Sequence, residues 1–142
     1  MNIVLMADDK KKELIVQFCT AYKTILAQHT LWATARTGRI LKDQTGLDVS
    51  LFLGQNQGGH QQVDARIPYN EVDLIFCFAD PNATDAWADQ RVMQTIHLCD
   101  AYNVPIATNL ASAEMLVLGL QRGDLDWRQM IRHRHSLFKD NG

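Results

Sequence analysis

The sequence predicts a single α/β domain, doubly wound, with a mostly parallel five-stranded sheet and helices on both faces. Two observations lead there. Short apolar runs alternate with helical-period segments along most of the chain, which is the pattern of successive strand–helix units. The most apolar run, Val72–Phe78, sits in mid-chain and reads as a strand buried on both sides. A length of 142 residues suits one domain with a real core.

The elements follow in order. Ile3–Ala7 is a short apolar strand ending at Asp8-Asp9, and Asp9 is placed to cap the helix that follows. Leu14, Phe18, Tyr22 and Ile25 recur at helical spacing and make one apolar face, ending near His29. Thr30–Ala35 reads as a second strand, and Thr37-Gly38 opens a short helix closed by Gly46. Leu47, Val49, Leu51 and Leu53 form a third strand. A polar loop, Gly54–Gly59, leads to a helix over His60–Tyr69 that Pro68 limits. After the central strand, Asp80-Pro81 breaks the chain and Asn82–Asp89 reads as loop. Val92, Ile96 and Cys99 line a helix running to about Asn103. Val104–Thr108 is the last strand, and Ala111–Leu120 the last helix, ended near Gly123. The domain is thus expected over 1–123, with 124–142 a polar tail rich in Arg and His.

Composition narrows the function. Hydrophobic residues make up 46% and charged residues 21%, as in an ordinary globular protein. The net charge of −2 offers no basic excess for a nucleic-acid polymer. No apolar run approaches the roughly 20 residues of a membrane helix, and the start has no signal-peptide pattern. Cys19, Cys77 and Cys99 show no CxxC spacing and read as reduced thiols of a cytoplasmic protein. His133 and His135 have no partner at metal spacing, so neither a metal nor a cofactor is expected.

In such a fold the chemistry gathers just past the carboxyl ends of the strands. Thr34, Arg36 and Thr37 cluster at a helix start, where hydroxyls, a guanidinium and free backbone N–H groups suit a phosphate. Lys12 adds a compact positive charge. Asp9 and Asp80 are carboxylates at two strand ends, able to serve as acid or base. Gly58-Gly59 lets backbone approach a ligand closely, and His60 beside it titrates near neutrality. Each has a plainer role too. Asp9 suits a cap, Lys12 a solvated helix face and Asp80 a turn before Pro81.

Taken together, Ala7-Asp8-Asp9 with Lys12, Ala33–Gly38, Thr45-Gly46-Leu47, Gly58–Val63, Asp80-Pro81 and Val104–Asn109 resemble methylglyoxal synthase, over Ile3 to about Arg122. The resemblance implies a cytoplasmic homo-hexamer. It implies a phosphate lyase that removes a proton next to the carbonyl of dihydroxyacetone phosphate and expels phosphate to leave methylglyoxal. It assigns catalysis to His60, Asp9 and Asp80, with His60 standing where the family has an aspartate base. It assigns the phosphorylated metabolite to Lys12, Thr34, Arg36, Thr37, Gln55, Gly58 and Gly59. Ala35 and Arg36 stand where the family has glycine and threonine, and Thr84–Arg91 replaces its Pro-His-Asp-Pro-Asp stretch. The larger Arg36 and Gln55 imply a pocket of altered shape or a more anionic ligand. Two functions stay open: the lyase, and a non-catalytic binding or regulatory protein for a phosphorylated metabolite or nucleotide. Arg128, Arg132 and Arg134 could complete the pocket of a neighbouring subunit.

Overall fold

The computed structural model describes residues 1–83 and 86–132, and the side chains of these apart from 86–89. His133, Arg134 and His135 lie outside the described residues, as do the side chains of Trp87 and Ala88. Five strands, β1 (Asn2–Ala7), β2 (Thr30–Ala33), β3 (Val49–Leu51), β4 (Leu74–Phe78) and β5 (Ile106–Ala107), pair in parallel in the order β3-β2-β1-β4-β5. The helices are α1 (Lys12–Ala21), α2 (Lys23–Leu26), α3 (Ala35–Thr45), α4 (Gly59–Arg66), α5 (Ala86–Tyr102) and α6 (Leu110–Arg122). Residues 126–132 add a further helical stretch, α7. The expected single α/β domain is therefore the observed one.

Strand residues alternate between two cores because successive side chains point to opposite faces. Ile3, Leu5, Leu74, Phe76 and Phe78 pack with Ile15 and Phe18 of α1, Leu41 of α3 and Val117 of α6. Val4, Met6, Ile75 and Cys77 pack on the other face with Val63 of α4 and Cys99 of α5. Both central strands are buried on both faces, which is why Val72–Phe78 reads as one unbroken apolar run. The three cysteines are buried and free, and burial pushes each thiol up to about 12.

Several boundaries differ from the sequence reading for local reasons. Asp9 does not cap α1. It opens a 3-10 turn over Asp9–Lys11, with Asp8 in the cap position, so α1 starts only at Lys12. The apolar stripe from Leu14 to Ile25 spans two helices, because the chain breaks at Tyr22. β2 stops at Ala33, and extended Thr34 is the N-cap of α3, which begins two residues earlier than expected. The segment expected to be loop through Asp89 is helical from Ala86.

The described part of the tail expected beyond 123, residues 124–132, makes contacts within this chain. Arg128, 3% exposed, donates from Nε to Asp73 Oδ1 at 3.1 Å, and also to Asn103 O, Asn70 Oδ1 and Val72 O. Arg132 reaches the same Asp73 oxygen, while Asp73 Oδ2 accepts the Asn2 N–H at 2.8 Å. This cluster sits where β1 and β4 begin, at the opposite end of the strands from Asp8 and Asp80. The described hydrogen bonds of Arg128 and Arg132 thus lie within their own domain.

Candidate functional site

The strand order reverses between β1 and β4. From β1 the chain winds through β2 to β3 on one side, and through β4 to β5 on the other. The loops leaving two such strands diverge and open a crevice at their carboxyl ends. Asp8 follows β1 and Asp80 follows β4, and the Asp80 N–H donates to Asp8 Oδ2 at 2.7 Å across the gap. Two cavities meet at this pair. One, of about 520 Å³, is mixed in character, with Leu14, Phe78, Val92 and Ile96 in its wall beside Lys11, Thr108 and Asn109. The other, of about 450 Å³, is polar and holds Lys12, Thr34, Arg36, Gln55 and Arg91. The second cavity gathers more of the charged side chains, so it carries the candidate chemistry.

Its phosphate-like end is built by α3. Thr34 stands at the helix start with its hydroxyl buried, 1% exposed for the whole residue, and makes no cap hydrogen bond. Thr34 Oγ1 has no partner among the described residues. Such a group is costly to bury unless something supplies its hydrogen bond. Lys12, half-buried, donates to Ala7 O and to Thr37 Oγ1 at 2.8 Å. Burial lowers its pKa, Asp9 opposes that shift and Arg36 adds to it. Thr37 is wholly buried behind the ammonium and is not part of the cavity wall. Arg36 Nη1 lies 3.3 Å from Asp9 Oδ1, with both side chains more than two-thirds exposed, at 71% and 72%. An exposed pair of this kind is worth little and yields readily to an anion. Asp80 turns one oxygen to the Asn82 N–H at 3.0 Å, and Lys10 approaches the other at 3.9 Å.

The glycine pair shapes the adjoining loop without lining the cavity. Gly58 has φ +102°, the left-handed region that favours glycine. A Cβ on Gly59 would sit 2.3 Å from Leu53 O and 2.8 Å from Gly54 O, so only glycine fits. Gly54 O accepts the N–H groups of Gln57 and Gly59, both at 2.9 Å. This fold of the loop aims Gln55 inward, where its amide approaches Ala7 O at 3.4 Å.

His60 takes a position that the sequence reading did not foresee. It is 4% exposed, in the first turn of α4, and is not among the residues of the polar cavity wall. Its Nδ1 lies 3.5 Å from Thr95 Oγ1, and that hydroxyl donates to Asp64 Oδ1 at 2.6 Å. Burial lowers the His60 pKa, Arg91 adds to the effect and Asp8 opposes it. The imidazole is therefore neutral at pH 7, and it sits beneath the cleft, within electrostatic reach of two cleft residues. Burial raises the pKa of Asp64, against the pull of the Thr95 hydrogen bond.

The structure thus gathers Asp9, Asp80, Lys12, Thr34, Arg36 and Gln55 around one cavity. It sets His60, Thr37, Gly58 and Gly59 behind that wall. Sequence reasoning assigned no role to several wall residues, among them Asp8, Lys10 and Arg91. Asp8 was legible as the first residue past β1, in the position that switch-point crevices favour. Arg91 carried no such signal, because the loop expected through Asp89 hid the helix that holds it.

The family model for the MGS-like domain matches residues 14–108. The chain is 49% identical to methylglyoxal synthase of Caldicellulosiruptor saccharolyticus over 92% of each chain. The chain belongs to the methylglyoxal synthase family. It is also 46% identical to the methylglyoxal synthase of a Geobacillus species, over 94% of this chain and 95% of that relative. The crystal structure of methylglyoxal synthase from Elizabethkingia anophelis superposes with a TM-score of 0.73 at 29% identity. That match covers 82% of this chain and 76% of the other. The resemblance noted in the sequence is thus membership, and the five-stranded parallel sheet is the fold that this family member adopts. No helix among the described residues is long and apolar enough to cross a membrane.

Proposed function

We propose that this chain recognises a small phosphorylated metabolite in the polar cavity, with the phosphate seated at the start of α3. The observation that carries the reading is the buried Thr34 hydroxyl without a partner, beside the Lys12 ammonium and the free N–H groups of a helix N-terminus. A phosphate oxygen accepts from all three.

The relatives named methylglyoxal synthase direct the choice of substrate to dihydroxyacetone phosphate. The reaction is proton removal from the carbon next to the carbonyl, followed by loss of phosphate as the enediolate electrons collapse. His60 is the assigned base, kept neutral by burial and by Arg91 and so able to accept a proton. Asp80, held by backbone and Lys10, and Asp9, paired with Arg36, are the supporting carboxylates. A second reading, binding without turnover, is favoured by the burial of His60 and its engagement with Thr95.

Two measurements decide. Dihydroxyacetone phosphate at a hundredfold excess over its Kd should stabilise the fold by about 2.7 kcal/mol. No rise in melting temperature with this compound or with inorganic phosphate would overturn the recognition reading. Methylglyoxal released during incubation supports the lyase, whereas a thermal shift without product supports the binder.

A further inference from the structure

Arg91 is a cleft cation to which the reading above gives an effect on His60 but no contact with the ligand. It projects from α5, on the β4 side of the switch point, whereas Thr34 and Arg36 come from the β2 side. Its Nη1 reaches the Gln55 carbonyl oxygen only at 3.5 Å, long for a charged donor. Its Nε is buried and has no partner among the described residues. The other buried side-chain atom in that condition among the described residues is Thr34 Oγ1, and both residues line the same cavity. Two residues with unmet donors, on the two sides of one cavity, can each engage an acceptor placed in it.

Gln55 links the two sides. Its side-chain Nε2 approaches Ala7 O, which also accepts from Lys12, and its backbone carbonyl oxygen faces Arg91. The carboxylates of the wall are otherwise engaged: Asp9 with Arg36, Asp80 with Lys10 and the Asn82 N–H, and Asp8 with the Asp80 N–H. We propose that the cavity takes a ligand with two anionic ends, a phosphate on the Thr34 and Lys12 side and a carboxylate or second phosphate on Arg91. This rests on the phosphate seat proposed at α3. The planar guanidinium fork suits either anion, which a lysine would bind only as a point charge.

The test uses a matched pair on the full-length protein. Glycerol 3-phosphate and 3-phosphoglycerate differ at the far carbon, a hydroxymethyl group in one and a carboxylate in the other. Calorimetry should find 3-phosphoglycerate bound about tenfold or more tightly, the gain of one charge-assisted hydrogen bond. Arg91→Gln should erase that preference and leave glycerol 3-phosphate binding unchanged, while Thr34→Ala weakens both ligands. If Arg91→Gln melts too low to assay, Arg91→Lys serves, with the preference reduced. Equal affinity of the wild type for the two ligands overturns the second anionic site and leaves the α3 phosphate seat standing. Equal weakening of both ligands by Arg91→Gln also overturns it, since Arg91 then belongs to the phosphate seat. Failure of both compounds to bind the wild type overturns the seat and this inference together.

Discussion

Replacing Lys12 by Met should separate binding from stability. The ammonium is half-buried, and burial pulls its pKa below the ordinary 10.5, with Asp9 opposing and Arg36 reinforcing. The sign follows directly. A lysine with a lowered pKa in the folded state holds its proton more tightly when unfolded, so at neutral pH its charge works against folding. That penalty relaxes only as pH rises through the folded pKa toward 10.5. Against it stand hydrogen bonds to Ala7 O and Thr37 Oγ1. A hydrogen bond to a charged group contributes about 1.5–3 kcal/mol, while burying an ammonium costs several kcal/mol after relaxation. The two effects oppose each other, and Met fills a similar volume. The net change in folding should stay within about 1–2 kcal/mol, a shift in melting temperature of under about 7 °C. Binding has no such cancellation. A bound phosphate loses one charged donor, about 10- to 150-fold in Kd. Melting curves of the free protein and calorimetry with dihydroxyacetone phosphate read the two quantities separately. Unchanged affinity in Lys12→Met would remove Lys12 from the phosphate seat. A melting point lowered by more than about 10 °C would show that its hydrogen bonds outweigh its desolvation.

Two further outcomes concern the frame around the site. Arg128→Ala removes the buried guanidinium partner of Asp73 and its bonds to three backbone and amide oxygens, and should cost about 3–5 kcal/mol, whereas Arg132→Ala, at a side chain 36% exposed, should cost about 1 kcal/mol or less; equal losses in denaturant melts would contradict the docked geometry. His60 has a folded pKa below its ordinary 6.5, so its share of stability should fade as pH drops below that value. His60→Gln should flatten the fall in melting temperature between about pH 7 and pH 5, and an identical slope would show that the imidazole is not held neutral by burial.

Much of the fold was legible because its signals are local. Strand β4 declares itself by an unbroken apolar run, since both of its faces are covered. The start of α3 declares itself through Thr34, Arg36 and Thr37, residue types that suit a helix N-terminus and an anion at once. What was not legible depends on contacts far apart in the chain. The burial of His60 comes from Thr95 and Asp64, which meet it only when α5 packs on α4. The place of Arg91 depends on α5 starting at Ala86, in a stretch whose composition reads as loop. The docking of Arg128 was not legible because its partners Asn70, Val72, Asp73 and Asn103 are 25 to 58 residues away. Asp9 was misread for a smaller reason. Its neighbour Asp8 takes the cap position, and the 3-10 turn leaves Asp9 outside, facing Arg36.

The burial of all three thiols has a practical side. Cys19, Cys77 and Cys99 are at most 3% exposed, and a thiol pushed up to about 12 carries almost no thiolate at neutral pH. The native chain is therefore nearly silent toward thiol-directed dyes and spin labels. One cysteine introduced at an exposed rim position such as Lys10 would stand alone as the reactive centre. A fluorophore there would sit over the polar cavity and report its occupancy in real time, without removing any native cysteine.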